Sequence, residues 1–573
     1  MNNFGNLKRE YLDGLLLAKP HLATFMGDHR FDNRLPDLSP QGLKRRERVL
    51  EQQKIRLATV EREKLPLDEQ VDAELMADAI ELELLYLREI KDWEWDPRLN
   101  DSFPYFDPRE MVAGRISDII HGDFAPAEQR LRNVLGQLKG LPEFLKAVRA
   151  QLRNPAAIYT EQGISANKGR IQFFNAELAE FIKTAEGVTS SLRAEAEEAR
   201  RSAVTALEDY QQFLEKDLLP RSHGDWRLGS ERYHKKFPLA LQTDISPEAL
   251  VPRAEAAFKK ASQELLQTAV SLHKELFSGK SLPKYENNAA MQRQVTSVVR
   301  DQLAKDHPKA EELVDAHRRN LDDFRSFIQS HNLLGLPPKE SLVVKETPLF
   351  KRGVSSAEYL APGVLEGKSD WRATYYVDSI DPAWDAGRVE SYLRFNNSYE
   401  VQLVAMHEAY PGHHTQFYYS RKNLNPLRAV LWNAPFVEGW AVYATKLMTQ
   451  LGYGGDKNAR YRFFALRSDM MVATNTLIDI KLHCGQMTDE EAVRFMVEEG
   501  FQEKPQAEKK LVRAKLDSTQ LVQYFLGYDE ILRLENDYRQ QVGEKFHQGE
   551  FDENLIGHGS IAVKYLRKYL IKK

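Results

Sequence analysis

The chain has 573 residues, 42% hydrophobic and 29% charged, with 80 basic against 84 acidic side chains and a formal net charge of −4. That composition supplies apolar material for a large core and excludes a disordered chain. The near balance of charge gives no electrostatic case for nucleic acid as a partner, and the single cysteine, Cys484, excludes an internal disulfide and fits a reducing compartment.

The first residues, "MNNFGNLKREYLDGLLLAKPHLATFMGD", contain only a short apolar run, "GLLLA", preceded by acidic residues, which is not the pattern of a secretory leader. No stretch approaches the roughly 18 apolar residues of a membrane helix, so no membrane-spanning segment is expected. The sequence as it stands predicts a cytoplasmic protein; a periplasmic protein or lipoprotein is the alternative if a leader has been removed.

Further along, "LKRRERVLEQQKIRLATVEREK" is charge-rich and reads as a solvated helix face. "DEQVDAELMADAIELELLYLREIKDW", "SLRAEAEEARRSAVTALEDYQQFLEKDLL" and "PEALVPRAEAAFKKASQELLQTAVSLHKELF" space apolar residues three and four apart, the period of an amphipathic helix. Pro and Gly punctuate between them. "SLVVKET" and "RATYYVDSI" break the helical pattern with β-branched and aromatic residues. The expectation is a mainly α fold with a small antiparallel sheet made by these two segments, close to the histidine cluster that follows. Residues 1–235 are expected to form an N-terminal helical region and 236–573 a metal-binding region, continuous as one structural unit.

That cluster is "HEAYPGHH": three of the chain's 15 histidines fall within 407–414. "NSYEVQLVAMHEA" predicts a helix capped by Asn397 or Ser398, with His407 and Glu408 near its end. The zinc pattern H-E-x-x-H is absent as written, because position 411 is proline. On a straight helix His414 would lie about 10 Å along the axis from His407, too far to share one ion. Pro411 cannot continue the hydrogen bonding and Gly412 tolerates unusual dihedrals, so the pair is expected to fold His413 or His414 back toward His407. A third ligand is offered by Glu438 in "APFVEGWAVYATKL", an acid among apolar neighbours; favourable placement near a helix N-terminus is its plainer reading.

"HEAYPGHHTQ" followed by "EGWAVYATKL" resembles the domain-of-unknown-function 885 family of bacterial proteins, a distant relative of the helical zinc metallopeptidases of the gluzincin type. "LPRSHGDWRLGSERY", "RSDMMVATNTLIDIKLHCGQMTDEEAVRFM", "QLVQYFLGYDEILRL" and "FHQGEFDENLIGHGSIAVKYL" carry the resemblance through most of the chain. It implies a zincin-like helical fold with one Zn2+ per chain. It maps His407 to the first ligand, Glu408 to the general base, His413 to the second ligand (His414 as the alternative) and Glu438 to the third.

The chemistry expected is zinc-dependent hydrolysis of an amide in a small peptide, with Glu408 moving the proton. Tyr524 is the first candidate for an oxyanion donor and His483 the second; a core tyrosine, and a structural Asp479–His483 pair, are the plain alternatives. Arg467 and Arg513 are candidates to grip a terminal carboxylate, although both could be ordinary surface arginines. The strand with Tyr376 is a candidate to hold an extended peptide by edge pairing. Three further readings stand beside this one: a metal-dependent amidase of a non-peptide acylated small molecule, a metal-binding helical protein without turnover, and a metal-free helical scaffold whose histidines fill a buried polar network.

Overall fold

The structure, a computed structural model, describes residues 3–101, 109–278, 288–347, 356–367, 371–422 and 424–572. The helical periodicity is realised: α1 (Leu67–Leu85), α3 (Ser190–Phe213) and α5 (Pro247–Leu276) cover the periodic stretches, with α2 (Ala127–Gln151) and α4 (Ser230–Leu241) between them. Thr189 caps α3 by accepting from the Leu192 N–H, and Ser246 caps α5 by accepting from Ala249 just ahead of Pro247. Such caps satisfy donors that the first helical turn leaves unpaired.

The expected sheet is present with a different topology. Strands β1 (Leu342–Glu346), β2 (Ala357–Leu360) and β3 (Ala373–Val377) lie in the order β1-β3-β2. "SLVVKET" and "RATYYVDSI" do pair, but in parallel, Leu342 opposite Ala373; the antiparallel partner is β2, with Tyr359 opposite Tyr375. A tight hairpin between the first two segments is impossible because the chain makes β2 before it returns as β3, and a parallel pair needs a crossover of this kind. β2, only four residues long, is too short to stand out in the sequence.

The C-terminal part supplies α6 (Ser398–Glu408), α7 (His413–Lys422), α8 (Ala434–Gln450), α9 (Asn458–His483), α10 (Lys504–Leu516) and α11 (Gln523–Val542). The long helices α5 and α9 pack along each other, as do α8 and α11. The α8–α11 contact is made possible by two glycines. A Cβ on Gly439 would lie 2.3 Å from the Gly527 carbonyl carbon, and one on Gly527 would lie 1.7 Å from the Pro435 oxygen. This near-touching of backbones brings the α11 residues around Tyr524 up to the helix that carries Glu438.

One core cluster gathers side chains from Phe4 and Tyr11 through Tyr375, Trp440 and Tyr565, so both ends of the chain share it; a second, from Leu99 to Leu218, lies between α2 and α3. The buried Asp72 of α1 takes Arg428 Nε at 2.7 Å, Lys8 Nζ at 2.7 Å and Asn425 Nδ2 at 2.8 Å. It thereby ties an N-terminal helix to the segment between α7 and α8. No helix among the described residues is long and apolar enough to cross a membrane.

Candidate metal centre

Helix α6 begins where Asn397 Oδ1 accepts from the N–H groups of Tyr399 and Glu400, and it ends at Glu408. Its burial sorts the residues by face. Val401, Leu403, Ala405 and Met406 are buried, whereas Glu400, Val404, His407 and Glu408 are partly exposed. Those four recur at i, i+4, i+7 and i+8, one helical stripe that opens to solvent.

The chain does not bulge within a continuous helix; it stops and restarts. Tyr410, the cis-Pro411 and Gly412 form the turn, and His413 is the first residue of α7. The Gly412 N–H donates to Met406 O at 3.0 Å, which doubles the chain back over the last turn of α6. Only glycine fits there, because a Cβ would lie 1.8 Å from the His407 oxygen. Trp440 fixes the turn from the other side, its indole N–H donating to Pro411 O at 3.0 Å. The indole belongs to α8, two residues beyond Glu438.

This folding brings His407, His413 and Glu438 together: one ligand atom from each lies within 4.8 Å of the others. Glu438 Oε2 stands 3.3 Å from His407 Nε2 and 3.8 Å from His413 Nε2, and the imidazole centroids are 4.7 Å apart. Donors about 2 Å from a tetrahedral ion stand roughly 3.3 Å from one another. Glu438 Oε2 is buried and, despite the nearby His407 nitrogen, has no aligned hydrogen-bond partner. An orphaned carboxylate oxygen between two imidazole nitrogens, in a two-nitrogen, one-oxygen donor set, fits zinc.

The surrounding charges are strongly perturbed. Burial would raise the Glu438 carboxyl, but His407, His413 and Arg513 outweigh it and hold the pKa below the usual value. Burial pulls His413 down to about 4, with the charge of His407 adding to it. Glu408 is pushed up to about 7, first by burial and then by the Glu438 charge, against the opposing charge of His407. A bound cation would reverse the sign of the local field and draw Glu408 back down.

Glu408 is outside the triad. Its Oε2 accepts from the Tyr359 N–H at 3.0 Å, on the edge of β2 that no described strand pairs. His414 points elsewhere. Its ring stacks on Trp371 at 5.4 Å, its Nε2 meets Ser341 Oγ at 3.0 Å, and the Tyr359 hydroxyl approaches Nδ1 at 3.4 Å. Since Ser341 Oγ donates to Pro338 O, it accepts from His414, which assigns the proton to Nε2. Of the two adjacent histidines, the geometry selects His413 as a member of the triad.

The remaining candidates divide. Tyr524 and Arg513 lie together at the Glu438 side, Arg513 Nη2 3.5 Å from the Tyr524 oxygen. Arg467 lies 3.8 Å from Glu400, on the open stripe of α6 two turns before His407. His483 has a different task from the one expected. Its Nε2 donates to Ala514 O at 2.8 Å, its Nδ1 accepts from the Leu228 N–H at 3.3 Å, and its ring stacks on Tyr233. Both nitrogens are thus occupied by backbone, leaving none for an oxyanion. Asp479, one turn earlier, accepts from Tyr233, Thr519 N and Leu521 N and holds the loop before α11. Tyr376 is also displaced from its expected role: β3 is the central strand, with both edges paired, and Tyr376 lies between Lys345 and Glu358 on the face opposite Tyr375. The edge beside Glu408 belongs to β2.

Sequence reasoning missed the parts played by Tyr359 and Trp440, whose contacts with Glu408 and Pro411 join segments far apart in the chain and leave no local signal.

The pattern of the bacterial family of unknown function DUF885 matches residues 20–570. The chain belongs to the DUF885 family. A search of curated proteins finds no match. Among solved structures, a "putative lipoprotein of unknown function" from Shewanella oneidensis is 28% identical, with a TM-score of 0.85 and 100% of both chains covered. A "putative lipoprotein" from Colwellia psychrerythraea shares the fold at 16% identity, with a TM-score of 0.78 over 99% of this chain and 98% of the other.

Proposed function

We propose that this DUF885 protein is a zinc-dependent hydrolase of amide bonds that acts on small peptides, in the manner of the gluzincin-type peptidases its motif resembles. The observation that carries the reading is a division of labour. His407, His413 and Glu438 converge as a ligand set, while Glu408, adjacent in sequence, is kept out of it and held by the Tyr359 N–H. A site that only stored metal would have no use for that fourth group.

His407 and His413 would hold one zinc ion through Nε2, with Glu438 through Oε2, and the ion would supply Lewis-acid polarisation of the substrate and of water. Glu408 takes a proton from the attacking water as its oxygen bonds to the scissile carbonyl carbon. It passes that proton to the nitrogen as the C–N bond breaks, so that a carboxylic acid and an amine leave. Tyr524, whose oxygen lies 3.5 Å from Arg513 Nη2, would be the donor toward the developing oxyanion. The open stripe of α6 and the edge of β2 flank the place where the substrate would lie.

Glu408→Gln tests this reading. The variant should keep about one zinc per chain while peptide hydrolysis falls about 10²–10⁴-fold. Wild-type protein purified without chelator and free of transition metal, or a Glu408→Gln variant as fast as wild type, would sink it. The lipoprotein names of the two structural relatives favour an exported location for this chain over the cytoplasmic one.

A further inference from the structure

The face of α6 that carries His407 and Glu408 continues back to Glu400. Seven residues of helix make two turns and rise about 10 Å, so Glu400 stands on the same side as His407 and about 10 Å from it along the axis. Val404, partly exposed, lies between them, one turn from each. Across from Glu400 is Arg467 of α9, its Nη1 3.8 Å from Glu400 Oε1. Phe464, one turn before Arg467, stacks on Tyr399, the neighbour of Glu400, with ring centroids 5.7 Å apart. The Arg467 guanidinium lies 5.7 Å from the centre of the same phenyl ring. The packing of α9 on α6 thereby sets the spacing of carboxylate and guanidinium.

At 3.8 Å the two groups attract each other but share no hydrogen bond. Arg46 and Glu83 show the closed form of such a pair, with Nε and Nη2 donating at 2.8 and 2.7 Å. Among the described residues the Glu400 carboxylate accepts no hydrogen bond and the Arg467 guanidinium donates none. Neither group is covered, since their side chains are 30% and 25% exposed. Burial of the remainder pushes the Glu400 carboxyl up to about 7, against the charge of Arg467. It also holds the guanidinium below its usual value, against the charge of Glu400. Both groups are partly desolvated and lack hydrogen bonds, on the side of α6 that is open to a ligand.

The ligand that suits both is uncharged. A cation drawn to Glu400 would meet the like charge of Arg467, and an anion drawn to Arg467 would meet that of Glu400. An extended peptide offers a donor and an acceptor without charge. The N–H and C=O of one residue point to the same side of the chain, as in the hydrogen-bonded pairs of an antiparallel ladder. The guanidinium takes the C=O and the carboxylate takes the N–H. We propose that Glu400 and Arg467 hold the main chain of an extended substrate roughly three residues from the scissile bond, at about 3.5 Å per residue, so that the enzyme acts on oligopeptides rather than on dipeptides and tripeptides. The distance to the scissile bond rests on the hydrolase reading; the grip on the peptide does not.

Zinc-loaded Glu408→Gln protein, titrated calorimetrically with alanine peptides blocked by N-acetyl and C-terminal amide groups, reads the grip apart from turnover. The blocked hexamer should bind at least about tenfold more tightly than the blocked trimer. Arg467→Met and Glu400→Leu, each added to Glu408→Gln, should bring hexamer and trimer within about threefold of each other. Circular dichroism and thermal melting check that the variants fold. Equal affinity for the two lengths, a hexamer advantage that survives both substitutions, or no binding of either peptide overturns the proposal. So does an advantage that appears only when the hexamer has a free carboxylate or a free ammonium, which would assign the pair to a chain end. Wild-type zinc protein assayed on the same blocked peptides separates the two readings. Tighter binding of the hexamer without cleavage removes the hydrolase and leaves the grip, whereas cleavage of trimer and hexamer at equal kcat/KM removes the grip and leaves the hydrolase.

Discussion

His413 and His414 are neighbours in sequence with opposite surroundings. His413 Nε2 faces the buried Glu438 oxygen, whereas His414 spends both nitrogens on Ser341 and Tyr359 and lies flat on Trp371. The second histidine still bears on the chemistry, because Tyr359 supplies the N–H that orients Glu408. His413→Ala should therefore lose zinc, since each ligand carries a share of a binding free energy on the order of 10 kcal/mol. His414→Gln should retain zinc within about tenfold yet slow turnover about 10–100-fold, the usual effect of loosening a supporting contact. Titration with a chromophoric zinc competitor and a peptide assay on the same samples check both. Zinc loss confined to the His414 variant would reverse the assignment. Adjacent histidines look identical in a sequence; which way each points was settled only by the restart of the helix between them.

Helix α6, the turn and α7 act as one device, clamped by Gly412 below and Trp440 above. The sequence already implied that Pro-Gly breaks the helix and returns a histidine. It did not show that the returning backbone passes so close to His407 that a single methyl group is excluded. Removing the glycine thus does more than straighten the segment. Gly412→Ala would drive a methyl group into the His407 carbonyl, force the turn open and separate His413 from His407. Overpacking of this kind costs about 1–3 kcal/mol. A lowered melting temperature together with zinc affinity reduced by at least about tenfold is expected. Unchanged zinc binding in folded Gly412→Ala would show that this turn does not set the ligand spacing.

The candidate metal ligands lie within 32 residues of one another, from His407 to Glu438, yet the frame that holds them draws on distant parts of the chain. Asp72 from α1 is buried against Arg428, which leads into the helix of Glu438, and Lys564 near the C-terminus pairs with Asp78 of the same α1 at 2.7 Å. Breaking a buried pair from one side leaves an uncompensated charge and costs roughly 3–5 kcal/mol. Asp72→Ala should accordingly lower the unfolding free energy measured by urea titration by that amount, while Lys54→Ala, which breaks the exposed pair with Glu81, should lower it by less than about 1 kcal/mol. Equal shifts for the two variants would mean that the Asp72–Arg428 tie does not hold α1 to the metal-bearing half.

Much of this protein follows from its sequence alone. The apolar period of 3.6 makes α1, α3 and α5 recognisable, because the helix repeat is local and each residue's face follows from its position. The same holds for the Asn397 cap, the break at Pro411 and the family to which "HEAYPGHH" belongs. What only the tertiary structure decided are relations between distant segments: the parallel pairing of β1 with β3, the edge of β2 against Glu408, the choice of His413, and the transfer of His483 from catalysis to support of α10. None has a local signature, because strand partners and side-chain directions depend on which surfaces meet in the core. The close approach of α11, which carries Tyr524, to the helix of Glu438 depends in turn on two glycines, 439 and 527, whose importance appears only once the helices they belong to are seen to touch.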